Sequence, residues 1–230
     1  MRVWLASYPR SGNTFFRVIL GDRYGVPSVT PSAMPETWQK LWRYDAKRQE
    51  KADPAAPEFV KTHGLPGGDA NPAIYIVRDG RDALVSFAHF VLTHNRKRPA
   101  AGDDNPFLFR GALRDLILET RAGCGTWSSN VEAWTARPNT AVVRYEDLVA
   151  DPCGVADRAL EAIGVRLKAV SDAITPFEEL KTVDPKFFRR GTQGTHRDEF
   201  PADLIDLFWA HNEAAMRRMG YPRDARRQAA

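Results

Sequence analysis

The stretch Tyr8-Pro9-Arg10-Ser11-Gly12-Asn13-Thr14 gathers a cation, hydroxyls, an amide and a glycine into one short turn. The apolar run Val3-Trp4-Leu5-Ala6 precedes it and reads as a buried strand, and Phe15-Phe16-Arg17-Val18-Ile19-Leu20 follows and reads as a helix packed on that strand. A strand, a polar glycine-bearing turn and a helix point unpaired backbone N–H groups at an anion. Arg10 adds positive charge there, and Ser11, Asn13 and Thr14 add donors suited to a phosphate or sulfate. The residues argue against the nucleoside-triphosphatase loop, whose second glycine precedes Lys-Ser/Thr. Here Asn13 follows Gly12, and Ser7 stands where that motif's first glycine would be. The stretch alone is equally a strand-to-helix turn with polar caps, so a second site must decide.

The elements that would position such a site alternate along the chain. Glu58-Phe59-Val60-Lys61-Thr62-His63 is a short strand ending in polar residues, with Gly64, Pro66, Gly67 and Gly68 marking the turn beyond. Ala73-Ile74-Tyr75-Ile76-Val77 is a near-continuous apolar strand, ended by Arg78-Asp79-Gly80-Arg81-Asp82, and Asp79 suits the N-cap of the helix that follows. Thr140 to Tyr145 reads as a further strand, and Asp151-Pro152 opens a helix that Gly164 would stop. Helices are also expected over Phe107 to Arg121, Trp127 to Ala136, within Ala169 to Thr182, and over Pro201 to Met219. A helix-like aromatic segment (Trp38, Leu41, Trp42, Tyr44) and a polar loop from His94 to Pro106 complete the pattern. Alternating strands and helices predict an α/β fold with a central parallel sheet, whose ligands lie beyond the carboxyl ends of the strands. Thr14, His63 and Arg78 all fall at such ends.

Composition agrees with one α/β domain of ordinary globular character: 230 residues, 43% hydrophobic and 27% charged. A net charge of +4 suits an anionic ligand and is too mild to call for nucleic acid. No apolar run is long enough to span a bilayer, and the N-terminus enters the first strand without a signal peptide, so a cytoplasmic protein is expected. Cys124 and Cys153 lack metal-ligand spacing and read as free or buried thiols. The domain is placed at residues 1–222, with 223–230 a disordered basic tail.

By its motifs the chain resembles the sulfotransferases that use 3′-phosphoadenosine 5′-phosphosulfate (PAPS). Tyr8-Pro9-Arg10-Ser11-Gly12-Asn13-Thr14-Phe15 is similar to that family's 5′-phosphosulfate loop, and Val77-Arg78-Asp79-Gly80-Arg81-Asp82-Ala83-Leu84-Val85-Ser86 to its 3′-phosphate segment. Lys61-Thr62-His63 resembles the family's Lys-Thr-His, and Phe188-Arg189-Arg190-Gly191 its late Arg-Lys-Gly loop. Gly125-Thr126-Trp127, Arg144-Tyr145-Glu146-Asp147 and Thr175-Pro176-Phe177 agree as well, in family order from the first strand to Gly194. The resemblance implies a P-loop-like sulfotransferase fold, with PAPS as cosubstrate, its product adenosine 3′,5′-bisphosphate (PAP), and no required metal. It implies His63 as general base and Lys61 and Arg10 as cations on the leaving oxygen. Arg78, Ser86, Arg189, Arg190 and Gly191 would hold the 3′-phosphate, and Phe15, Tyr145, Thr175 and Phe177 the adenine side.

The chain departs from the family pattern in several places. It has Arg10 for a common lysine, Asn13 for threonine, Phe15 for tryptophan and Arg190 for lysine. Gly194-Thr195-His196-Arg197 replaces a common Gly-Asp-Trp-Lys. The acceptor implied is a small or medium organic molecule bearing a hydroxyl or, second, an amine, in a pocket that is either more open than is common in the family or built by Trp38 to Tyr44 and Asn95 to Leu118. His89, His94, His196 and His211 read as helix or loop histidines with no constellation around them. The rival readings are a nucleotide or metabolite kinase and a non-catalytic module that binds PAP or another polyanion.

Overall fold

A computed structural model describes residues 1–30, 57–94, 105–118, 123–185 and 187–223. The Trp38–Tyr44 segment, most of the His94–Pro106 loop and the tail beyond Arg223 lie outside the described residues.

Five strands, β1 (Arg2–Ser7), β2 (Ser28–Val29), β3 (Glu58–Thr62), β4 (Ala73–Val77) and β5 (Thr140–Arg144), form one sheet in the order β2-β3-β1-β4-β5. Every pairing is parallel. The expected α/β architecture is therefore present, with β1 at the centre. Both neighbours of β1 end on the same side, which is where a parallel sheet presents its binding crevice. Side chains alternate across the sheet as the strand period requires. Val3, Leu5, Ile74, Ile76 and Val143 pack on one face, with Phe16, Ile19 and Leu20 of α1 (Asn13–Tyr24) and Leu160. Ala6, Tyr75 and Val77 pack on the other, with Leu84, Leu113, Trp127, Trp134 and Phe208.

That second layer comes from α2 (Gly80–His94), α3 (Pro106–Leu118) and α4 (Trp127–Thr135), joined by Phe208 of the last helix. After β5 come α5 (Tyr145–Ala150), α6 (Pro152–Ala162), α7 (Phe177–Val183), α8 (His196–Glu199) and α9 (Ala202–Arg218). The helix starts follow local chemistry. Asp79 Oδ1 accepts from Arg81 N at 2.9 Å at the head of α2, Asp151 caps α6 with Pro152 in its first turn, and Gly164 lies beyond its end at φ 71. Helices expected across 169–182 are present only from Phe177. The preceding chain spends its backbone donors on the end of α1 instead: Val170 N donates to Arg23 O at 2.7 Å and Thr175 N to Asp22 Oδ2 at 2.7 Å.

The turn from β1 into α1 is a strained part of the backbone. Arg10 has φ 68 and Gly12 φ 97, both left-handed, a region costly for any residue with a Cβ. At Gly12 a Cβ would lie 3.0 Å from Tyr145 Cε2 and closer still to Cδ2. Gly12→Ala is therefore expected to lower unfolding stability by about 1–3 kcal/mol and to displace the Tyr145 ring. Chemical denaturation measures the first effect and tyrosine fluorescence the second.

Candidate active site

Beyond the carboxyl ends of β1, β3 and β4 lies a cavity of about 440 Å³. Arg10, Gly12, Asn13, Thr14, Phe15, Lys61, His63, Arg78, Ser86, Tyr145, Phe177, Arg189, Arg190 and Gly191 all line it. These residues come from sequence positions as far apart as 10 and 191, and the sheet brings them to one place. Of the residues expected in the site, Ser11 and Thr175 do not line the cavity. Ser11 is 1% exposed and its Oγ has no hydrogen-bond partner, whereas Thr175 is tied through its backbone to Asp22. The lining among the described residues carries Arg10, Lys61, Arg78, Arg189 and Arg190 and no carboxylate.

His63 stands at the end of β3, where its Nδ1 lies 2.9 Å from Ser7 O and 3.3 Å from Ser7 Oγ. A carbonyl oxygen only accepts, so the ring proton sits on Nδ1 and Nε2 is left as a bare acceptor. Burial, followed by the charge of Lys61, lowers His63 from 6.5 to about 3, against the opposing pull of the Ser7 carbonyl. Two residues earlier, Lys61 is lowered to about 8 by burial and by Arg17 and Arg10. The pairing is that of a neutral base beside a cation held reluctantly.

Arg10 extends from the left-handed turn to the far side. Its Nε donates to Ser86 Oγ at 3.1 Å, its Nη2 donates to Phe187 O, and its Cζ stacks 3.9 Å from the Phe187 ring centre. Nη1 is buried without a partner. Burial, then Arg78 and Arg189, brings Arg10 down to about 9. Arg10 also helps depress Lys61 and His63, so its charge is felt by both ends of the cavity.

Arg78 lies under the Tyr145 ring, with Cζ 4.6 Å from the ring centre, and donates to Arg10 O at 3.2 Å and Thr192 O at 3.0 Å. Its Nε is buried and unpartnered. Arg189 forks onto Glu199 at 3.0–3.1 Å and Arg190 reaches the same carboxylate at 3.0 Å. Asn13 turns its side-chain amide to Leu5 O at 2.9 Å, which leaves its backbone as the part of that residue free to meet an anion. Phe177 packs on Gly191, where a Cβ would lie 2.5 Å from the ring.

Sequence reasoning missed several residues that hold this arrangement. Asn130, fully buried, donates to His63 O at 3.1 Å and Cys124 O at 2.7 Å and accepts from Tyr75 OH at 2.9 Å. His89 and His196, read as solitary, each sit 2.7 Å from a carboxylate oxygen, of Glu199 and Asp82 respectively. Nothing local in the sequence marks these pairs, whose partners are more than a hundred positions away. Among the described residues no group of three or more His, Cys, Asp or Glu is placed to hold a metal ion, and no helix is long and apolar enough to cross a membrane.

An α/β sheet with an anion loop after its central strand, a second cation group and a neutral histidine is the framework of a group-transfer protein. The sulfotransferase domain family model matches residues 1–220, and the chain belongs to that family. It is 23% identical to human sulfotransferase 1E1 over 255 residues, covering 93% of this chain and 83% of that protein. It is 25% identical to bovine sulfotransferase 1A1 over 245 residues, covering 90% and 80%. In structure it is similar to mouse sulfotransferase SULT7A1 complexed with PAP (TM-score 0.65, 19% identity, 95% of this chain and 88% of that one). It is also similar to retinol dehydratase in complex with androsterone and inactive cofactor PAP (TM-score 0.59, 18% identity, 99% and 82%).

Asn130→Ala would leave the Tyr75 hydroxyl and the His63 and Cys124 carbonyls without their partner. A loss of about 3 kcal/mol of stability is expected, read by urea denaturation, together with reduced turnover from a less well-placed His63.

Proposed function

We propose that this protein transfers the sulfuryl group of PAPS to a hydroxyl, and second to an amine, of a small or medium organic acceptor. The observation that carries this reading is a cavity lined by Arg10, Lys61, Arg78, Arg189 and Arg190, with no acidic side chain among its described lining and with His63 at one end. A ligand with negative charge at two separated ends fits that distribution. The buried, unpartnered Arg10 Nη1 and Arg78 Nε, on residues that line the cavity, are donors of the kind such a ligand would satisfy. The PAP complexes of the structural neighbours, and the androsterone and retinol bound by retinol dehydratase, support the same reading.

PAPS supplies an activated sulfuryl group on a phosphate leaving group. The chain's own residues supply the rest. The unpaired N–H groups at the head of α1 and Thr14 hold the 5′ end, while Arg78, Ser86, Arg189 and Arg190 hold the 3′-phosphate. Phe15, Tyr145 and Phe177 offer flat faces to the adenine. His63 Nε2 takes the proton of the acceptor hydroxyl, and the Nδ1–H bond to Ser7 O keeps the ring in that tautomer. Lys61 and Arg10 face the charge that grows on the leaving oxygen, as in the closely related phosphoryl transfers. None of these steps uses a metal.

Calorimetric titration with PAP and with 5′-AMP tests the cofactor, and turnover of His63→Ala tests the base. Tight PAP binding, weak 5′-AMP binding and a loss of about a hundredfold to ten-thousandfold in kcat with PAP affinity retained are expected. Equal affinity for both nucleotides sinks the PAPS assignment. An active His63→Ala removes His63 from the mechanism. A wild-type protein that binds PAP yet transfers nothing to any acceptor is a binding module.

The depressed Lys61 and His63 set the expected shape of the pH profile. Deprotonation removes the Lys61 charge, so kcat/KM for PAPS should fall as pH rises through about 8. Protonation would silence His63, but its affinity for a proton is depressed to about 3, so no acid limb is expected near 6.5. Lys61→Arg should move the alkaline limb upward, because a guanidinium keeps its proton there. An unmoved limb would assign it to another group.

A further inference from the structure

The face of α2 that carries Asp82, Ser86 and His89 meets the late loop 187–199 along its length, through side chains spaced to share one side of a helix. At one end His89 pairs with Glu199, which also holds Arg189 and Arg190. In the middle Ser86 accepts from Arg10, whose Nη2 reaches Phe187 O. At the other end sits Asp82, 1% exposed and not part of the cavity lining. Its Oδ2 accepts from Gly194 N at 2.7 Å and its Oδ1 from His196 N at 2.9 Å, His196 Nδ1 at 2.7 Å and Thr195 Oγ1 at 3.3 Å. Arg78 Nη2 lies 3.6 Å from the same carboxylate.

A buried carboxylate would be costly unless paired. Here burial would raise Asp82, but the His196 bond and the Arg78 charge hold it well below the usual range. Its charge therefore does two things at once. It offsets the buried Arg78 guanidinium, which in turn ties the first anion loop to the late loop through Arg10 O and Thr192 O. It also fixes the register of the segment 194–196, and with it the stretch Arg189–Thr192 on the cavity wall.

The geometry points to Asp82, clasped by His196, as a positioning residue that sets recognition of the cofactor's 3′-phosphate without touching it. This rests on the PAPS reading above, with Arg78 and Arg189 as the 3′-phosphate ligands. Loss of the clasp lets Arg78 and the late loop drift independently, which penalises a ligand that needs both. A nucleotide with only a 5′-phosphate draws its anion contacts from the α1 loop and depends on the clasp far less.

The test is calorimetric titration of wild type, Asp82→Asn, His196→Ala and His196→Asn with PAP and with 5′-AMP, alongside the melting temperature of each. Asp82→Asn should weaken PAP by about tenfold or more, the scale of a charge-assisted hydrogen bond, and leave 5′-AMP nearly unchanged. His196→Ala should shift the PAP to 5′-AMP ratio in the same direction, and His196→Asn, which restores a donor to Asp82, should recover it. A ratio unchanged in both Asp82→Asn and His196→Ala, or losses equal for the two nucleotides, overturns the proposal and makes Asp82 a stability residue only. Should Asp82→Asn fail to fold, His196→Ala decides by the same ratio. A wild type that does not prefer PAP to 5′-AMP instead overturns the PAPS reading, and the clasp's role falls with it.

Discussion

The site depends on one tight reversal of the backbone, where β1 gives way to α1 through Arg10 and Gly12 in left-handed conformations. That path turns the head of α1 toward the end of the sheet and sends the Arg10 side chain away from its own strand, across to α2 and the late loop. It is possible because Gly12 has no side chain and so lets the Tyr145 ring lie directly against the turn. The same ring covers Arg78. A single close approach of backbone and aromatic therefore fixes the relative placement of the anion loop, a second cation and a wall of the cavity.

The second condition is electrostatic. Bringing several cations into one partly buried space is unfavourable by itself, and the depressed Arg10 and Lys61 record that cost. The protein meets it from behind. Carboxylates outside the lining (Asp82, Glu199) and main-chain oxygens (Arg10, Phe187, Thr192) hold the guanidinium groups. The cations are thus fixed in place while the lining keeps its positive character.

Much of this is legible in the sequence, and the reasons differ by element. β1 and β4 announce themselves because a parallel strand buried on both faces must be nearly continuously apolar, as Ala73–Val77 is, whereas β3 and β5 are marked by shorter apolar runs that end in polar residues. The two-residue β2 carries no such signal and exists because it can pair with β3. The segment before Phe177 reads as helical by composition, yet its backbone donors are taken by Arg23 and Asp22 at the end of α1, a contact no local pattern reveals. In the site, residues at strand ends could be read, because their position in the chain is also their position in the crevice. Asn130, Asp82 and Glu199 could not. Each acts through partners contributed by distant turns of the chain, and each looks in sequence like an ordinary polar residue on a helix.

The chain as a whole carries a net charge of only +4, yet Arg10, Lys61, Arg78, Arg189 and Arg190 converge on one concave surface. A concave, low-dielectric wall of one sign focuses the field outward. A multiply charged anion is accordingly drawn in from solution, and the rate of that encounter falls as salt screens the field. An uncharged acceptor feels no such pull and arrives by unassisted diffusion. Under the proposed reaction, ionic strength would therefore alter the arrival of the anionic reactant while leaving that of an uncharged acceptor untouched.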